Sequence, residues 1–276
     1  MPNIKKEDVS RLKARPLDTG IFCLNLKRSP NRRRKMISQA ELLGLELNFV
    51  DAIDGQNLTE ETVVQYNSEW RRKLGHPLTI NEIGCCLSHH KALKTFLESD
   101  FDFAIILEDD VTLSPNLLTV FEVCKQIPKW DVLHLGIQYD YKGRYSLRTV
   151  LDHYNIFVPC KVTRGAYGLA YSREGAKKTL KMNEMIHYAF DKQMALSYKN
   201  GIRHLAILPA PIKALDGESD IGDDRLNRKE LNQRKNLYNK LISRFVRISH
   251  SFGIRLNQFD NYRFFKRQLK DYSPQP

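Results

Sequence analysis

A short apolar run, Phe103-Ala104-Ile105-Ile106-Leu107, ends in three adjacent carboxylates, Glu108-Asp109-Asp110. A brief, continuous apolar run reads as a buried strand. Charges crowded at the edge of a core repel one another and lose solvation, so something cationic must neutralise them. Side chains alternate along a strand, which places Glu108 and Asp110 on one face and Asp109 on the other. Two carboxylates on one face suit a hard divalent cation that prefers oxygen ligands, Mg²⁺ or Mn²⁺. The plainer alternative is an acidic strand-to-loop edge balanced by a basic surface, and the triplet alone does not choose between them.

A second group of interest sits just upstream. Thr79-Ile80-Asn81-Glu82 has the pattern of a capping box, in which Thr79 and Glu82 satisfy each other's backbone amides at a helix start. The helix it opens carries an apolar stripe through Ile83, Leu87, His90, Leu93 and Leu97. His89 shares a face with Glu82, Cys86 and Leu93. It is there either as a hydrogen-bonded core residue or as an acid-base group.

These residues need a frame to position them, and strand and helix patterns alternate through the first two hundred positions. Ile21 to Leu26 reads as a strand. Ser29-Pro30 starts a helix with Pro in its first turn, and the helix stops at Gly44. Leu47 to Ala52 is a second strand, followed by an Asp54-Gly55 turn and a helix from Thr59. Ser114-Pro115 opens a helix that ends near Pro128, and Asp131 to Gly136 is a further strand. Gly165 to Tyr171 reads as a strand with Ser172 capping the next helix, and His204 to Leu208 as the last strand. Residues 138–155 are polar, aromatic and without a clear period, as in a functional loop. Residues 209–224 read as an acidic loop. The alternation predicts an α/β sheet with helices on its faces, whose ligands bind beyond the carboxyl ends of the strands, where the acidic triplet lies.

At 276 residues the chain is long enough for one large domain or a domain with an appendage. Residues 1–224 are expected to form the α/β domain. Residues 225–276 are different: basic side chains recur among Leu241, Ile242, Phe245, Ile248, Phe252, Phe264 and Phe265. Helical spacing makes this a basic amphipathic extension, suited to capping the domain or to lying on an anionic membrane surface. The formal charge of +12 makes polyanions plausible partners. Nucleic acid is not expected, because the cations concentrate in the tail and no RNA-binding signature or zinc-type cysteine spacing is present. Five cysteines without CxxC spacing fit reduced thiols. A polar start and no run of membrane-spanning length lead to the expectation of a cytoplasmic protein, peripheral at the inner face of the inner membrane.

Five segments, in order, carry a resemblance. They are residues 22–33 (FCLNLKRSPNRR), 49–55 (FVDAIDG), 78–89 (LTINEIGCCLSH), 107–111 (LEDDV) and 165–176 (GAYGLAYSREGA). Each is weak alone. Together, with compatible spacing, they strongly resemble glycosyltransferase family 25, over roughly residues 20–222. That resemblance implies a GT-A-like glycosyltransferase fold with a single, mostly parallel central sheet and flanking helices. It implies an inverting enzyme, Mn²⁺ or Mg²⁺, a UDP-sugar donor and a β-linked product. The usual donor is UDP-galactose, with UDP-glucose the alternative, and the implied acceptor is a sugar of the lipooligosaccharide or lipopolysaccharide core.

The same resemblance distributes roles. Asp110 and Asp109 become metal ligands, while Glu108, standing where such motifs often carry Asp, ligates metal or contacts ribose. Asp191 matches an Asp preceding a helix and is the implied base for the acceptor hydroxyl, an Asp there being also a good helix cap. His89 is the competing base, and the Ser88-His89 pair moves toward donor contact. Asn25, Leu26, Arg28 and Arg32 are expected at the uridine and diphosphate, since guanidinium forks match phosphate oxygens. Ala52, Asp54 and Gly55 resemble a nucleoside-side turn. Residues 218–222 (ESDIG) are a late loop able to add a metal or diphosphate contact.

Overall fold

The computed structural model describes residues 18–67, 78–125, 127–137, 144–150, 154–159, 165–182, 184, 186, 188–194, 200–215 and 237–270. Ten strands and seven α-helices are described: β1 (Thr19–Asn25), α1 (Pro30–Leu43), β2 (Asn48–Asp51), α2 (Glu60–Tyr66), α3 (Ile80–Glu98), β3 (Phe103–Glu108), β4 (Val111–Leu113), α4 (Leu117–Lys125), β5 (Val132–His134), β6 (Arg144–Val150), β7 (Tyr154–Pro159), β8 (Gly168–Ser172), α5 (Arg173–Met182), α6 (Phe190–Met194), β9 (His204–Leu208), β10 (Ile212–Ala214) and α7 (Leu237–Lys270).

Eight strands form one mixed sheet in the order β2-β1-β3-β8-β5-β9-β7-β6. β1 runs parallel to β2 and β3, and β5 parallel to β9, while β8 and β7 pair antiparallel with their neighbours. Six strands therefore point one way, and β8 and β7 point the other. The expectation of mostly parallel strands holds for direction, with two reversed strands that the sequence pattern did not show. β10 and β4 form a separate antiparallel pair.

The sheet separates two apolar layers, because alternate residues of each strand enter opposite sides. On one side Ile105, Leu107 and Leu133 pack with Phe121, Trp130 and Phe265. On the other Ala104, Ile106 and Val132 pack with Ile83, Leu93 and Phe96 of α3 and with Phe190 of α6. The central strands β3, β5 and β9 are mostly apolar because both of their faces are covered, the exceptions being Glu108 at the end of β3 and the buried His134 and His204.

Local signals set the element ends. Gly44 closes α1 in the left-handed conformation at φ 63°, where its amide bonds back to Glu41 O. Thr79 and Glu82 form the full capping box at the start of α3. The Ser172 hydroxyl accepts from the Gly175 amide at the start of α5. The stretch 138–155, read as a loop without a clear period, contains β6 and the first residues of β7, which pair as a hairpin at the sheet edge. The stretch read as a plain loop after Leu208 contains β10. Within the basic extension, residues 237–270 form one long helix, α7, whose buried Phe265 joins the first apolar layer.

Candidate active site

The carboxyl ends of β1, β2 and β3 open on one cleft. β1 lies between two parallel neighbours, so the chain crosses to one side for β2 and to the other for β3. That reversal leaves a crevice above the strand ends. The crevice holds about 670 Å³ of non-atom space, part of it open to solvent. Leu24, Leu26, Arg28 and Arg32 line it from β1 and the start of α1. Ala52, Ile53, Asp54 and Gly55 line it after β2, and Asn81, Cys85, Ser88 and His89 from α3. Glu108, Asp109 and Asp110 line it at the end of β3.

All three acids of the triplet thus face one cleft, which corrects the expectation that Asp109 points away from Glu108 and Asp110. The reason is that β3 ends at Glu108 and the next two residues form a bend, so strand alternation stops there. Asp109 is nearly buried. Its Oδ2 accepts a 2.6 Å hydrogen bond from Asn25 Nδ2, and its Oδ1 lies 3.3 Å from Arg32 Nη1. Burial pushes its carboxyl up, and Asn25 and Arg32 oppose that shift. The Asp110 carboxyl is pushed up to about 6, by burial first and then by the neighbouring Glu108 charge, with Arg32 pulling the other way. Its backbone carbonyl accepts from the Leu215 amide at 2.8 Å. The expected contact from residues 218–222 lies outside the described residues.

Two contacts shape the opposite wall. Arg28 Nε donates to Asp54 Oδ2 at 2.7 Å, and this bond holds the Asp54 carboxyl below its usual range. The Ser88 hydroxyl donates to Gly84 O at 2.7 Å and accepts from the Ile53 amide at 2.8 Å. Ser88 therefore ties α3 to the turn after β2. Glycine is required there: a Cβ on Gly84 would lie 2.7 Å from Ile53 O, and one on Gly55 2.4 Å from Ile80 O.

His89 lies in the floor and is closed to solvent. Its Nε2 is 3.3 Å from Glu108 Oε1, and its ring stacks on Phe190 with centroids 4.2 Å apart and planes at 9°. Side-chain atoms of Cys85, His89 and Glu108 all lie within 4.8 Å of one another. That donor set mixes sulfur, nitrogen and oxygen. Burial pushes the Cys85 thiol up, and the Glu108 charge adds to the shift, so Cys85 stays protonated and is a poor ligand for a hard cation.

Asp191 does not line the cleft. It is the second residue of α6, inside the helix rather than at its cap. Its Oδ1 accepts from the Lys192 amide at 2.7 Å and its Oδ2 from the Gly165 amide at 3.4 Å. Its charge reaches the Cys85 thiol, which places it near that end of the cleft. Of the residues expected at the donor, Leu26, Arg28, Arg32, Ala52, Asp54, Ser88, His89, Glu108 and Asp109 line the crevice, and Asn25 supports it from beneath. Leu24, Ile53, Asn81 and Cys85 also line it, and Phe190 supports it by stacking on His89. Phe190 stands beside Asp191 in the sequence, but only the packing of α6 on α3 brings its ring to His89.

Fold and cleft together define an α/β protein with an open cleft at the carboxyl ends of a mixed sheet. The chain belongs to glycosyltransferase family 25: the model described as "Glycosyltransferase family 25 (LPS biosynthesis protein)" matches residues 18–195. A glycosyltransferase 25 family member of Anopheles gambiae is 30% identical over 192 residues, 64% of this chain and 32% of that protein. Procollagen galactosyltransferase 2 of Mus musculus is 26% identical over 198 residues, 65% of this chain and 31% of that protein. The chain spans about a third of the length of these relatives. A solved structure of CMP:2-keto-3-deoxy-manno-octonic acid synthetase complexed with CTP aligns at 11% identity and a TM-score of 0.35, covering 78% of this chain and 99% of that one. That likeness is too slight to bear on fold or function.

Proposed function

We propose that the protein transfers a galactosyl group from UDP-galactose to a glycan acceptor with inversion, giving a β linkage. The observation that carries this reading is the convergence of four separate segments on one crevice, which is lined by Arg28 and Arg32 as well as by the Glu108–Asp110 carboxylates. Guanidinium groups recognise phosphate oxygens. The name of the mouse relative, a galactosyltransferase, supports galactose over glucose. The family description supports a lipopolysaccharide-type core sugar as acceptor.

A divalent cation, Mn²⁺ or Mg²⁺, suits this cleft. Asp110 shares its surroundings with Glu108, and their mutual repulsion is what a bound cation relieves. Asp110 and Glu108 would hold it, with Asp109 kept in place by Asn25 and Arg32. When bound, it would neutralise charge on the departing diphosphate. Arg32 and Arg28 orient the phosphates and offset their charge. The Ile53–Gly55 turn, fixed to α3 through Ser88, seats the nucleoside. Asp191 takes the proton of the acceptor hydroxyl as that oxygen attacks the anomeric carbon. His89, sandwiched between Phe190 and Glu108, fixes the Glu108 carboxylate.

The test is UDP release from UDP-galactose, UDP-glucose and UDP-N-acetylglucosamine, each with and without Mn²⁺, in the presence of a core oligosaccharide or a procollagen peptide. Metal-stimulated release with UDP-galactose and a galactosylated core product supports the proposal. Release with no transfer product, or no response to any donor, overturns it.

A further inference from the structure

Helix α7 is docked by one face only. Gln258, Asn261 and Phe265 are buried, Tyr262 stacks on Tyr145 of β6 with centroids 5.0 Å apart, and Phe264 lies over the Arg203 guanidinium at 4.1 Å. The opposite face carries Ile248, Phe252 and Leu256, which are 62%, 65% and 52% exposed. Their spacing of four residues keeps them within an arc of about 80° on a helix of 3.6 residues per turn. Phe259, which meets the edge of the Tyr145 ring, marks where this stripe reaches the body of the protein. The exposed Arg255, Arg263 and Lys266 fall on or beside the same arc. Leu241 and Phe245 continue the spacing in the sequence.

Three large apolar side chains in water along one line require an occupant. The charge of the helix says which kind. Residues 237–270 contain eight Lys and Arg and a single acid, Asp260. A second copy of α7 laid along the stripe would bring two such helices together, and like charges flanking an apolar seam oppose that pairing. A surface that is apolar just below an anionic layer satisfies both features at once. No described helix is long and apolar enough to cross a membrane, so α7 would lie in the plane of the surface.

We infer that the outer face of α7 docks the protein on an anionic lipid bilayer, with Ile248, Phe252 and Leu256 entering the headgroup–acyl boundary and Arg255, Arg263 and Lys266 pairing with lipid phosphates. The docked inner face keeps the helix attached to the β6–β7 edge, so the body of the domain is held at a fixed distance from the bilayer. This inference is independent of the donor and acceptor assigned above.

The experiment is co-sedimentation of the full chain with phosphatidylcholine vesicles, with and without phosphatidylglycerol, alongside analytical ultracentrifugation without lipid. Binding to the anionic vesicles is expected, weakening as salt is added. The triple variant Ile248→Gln/Phe252→Gln/Leu256→Gln, which changes only exposed positions, should partition at least on the order of tenfold more weakly. Arg255→Gln should cost about fivefold. No affinity for the anionic vesicles, or affinity unchanged in the triple variant, overturns the inference. So does a concentration-dependent dimer that the triple variant abolishes while vesicles bind neither protein, because the stripe is then an interface between copies.

Discussion

Asn25, the last residue of β1, donates a 2.6 Å hydrogen bond to Asp109 just beyond the end of β3. The two strands are parallel neighbours, and this bond fixes the relation of their ends, from which the cleft opens. Asn25 also donates to Ser29 O at 3.2 Å, so one amide organises both the acidic bend and the approach to α1. Asn25→Ala leaves a nearly buried carboxylate with one fewer donor. The expected loss of stability is about 1–3 kcal/mol, read as a lower urea midpoint at unchanged slope. Donor affinity should fall with it, because Arg32 then carries Asp109 alone.

Asp110 makes a separate prediction. Its carboxyl, pushed up to about 6 by burial and by Glu108, holds a proton in mildly acid solution. A cation must displace that proton, so Mn²⁺ affinity should rise as pH increases through about 6 and level off above it. Asp110→Asn should abolish the metal response of UDP-sugar turnover. Isothermal titration with Mn²⁺ between pH 5 and 8 (about the range in which such a group titrates) measures the first effect. An affinity independent of pH would remove Asp110 from the ligand set.

If Asp191 is the base, Asp191→Asn should lower kcat by about 10²–10⁴-fold and leave UDP binding unchanged, since the residue lies outside the lining of the cleft. The Gly165 and Lys192 amides that donate to the carboxylate also limit how far the variant can be accommodated, because the amide nitrogen of Asn offers them no acceptor. Thermal melting therefore accompanies the kinetics. A variant that folds and still turns over would shift the role to another group.

Much of this arrangement was legible in the sequence where chemistry is local. The capping box, the Gly44 stop, the acid-ended strand and the segments around Asn25, Asp54 and Ser88 each announce themselves within a few residues. What escaped depends on contacts distant along the chain. β6 is the edge strand of the sheet, where Tyr145 and Leu147 are only partly buried, and β4 and β10 are each three residues long. Phe190 gives no signal of its stack on His89, since an aromatic at that position fits any buried helix. The bend at Asp109 defeated the alternation argument because nothing in three successive acids says where a strand stops.

Gly84 illustrates the same point and is testable. In sequence it is a helix-interior glycine, where Ala should stabilise by about 1 kcal/mol through propensity. In the fold a Cβ there would sit 2.7 Å from Ile53 O and 3.0 Å from Gly55 N, both backbone atoms of the turn after β2. Gly84→Ala is therefore expected to destabilise the protein and to weaken UDP binding, the reverse of the propensity effect. Calorimetric melting with and without UDP separates the two consequences.

Acid lability should come from buried histidines. Burial depresses His134 to about 3 and His90 to about 4, and holds His204 well below its ordinary value. His134 Nε2 and His204 Nδ1 are 3.0 Å apart in the sheet interior. The unfolded chain binds protons at these groups below pH 6.5, the ordinary histidine value, whereas the folded chain does not until the pH is far lower. The unfolded state is then the more protonated one, so stability falls as pH drops from about 6.5 toward 4. Asp110 and Asp109, with their raised carboxyls, act in the opposite sense but are two groups against three. The melting temperature should therefore decline on acidification across this window. His90→Gln, which removes one proton acceptor from the unfolded chain without adding one to the fold, should flatten that decline, and a slope identical to that of the parent would show that His90 is already protonated in the native state.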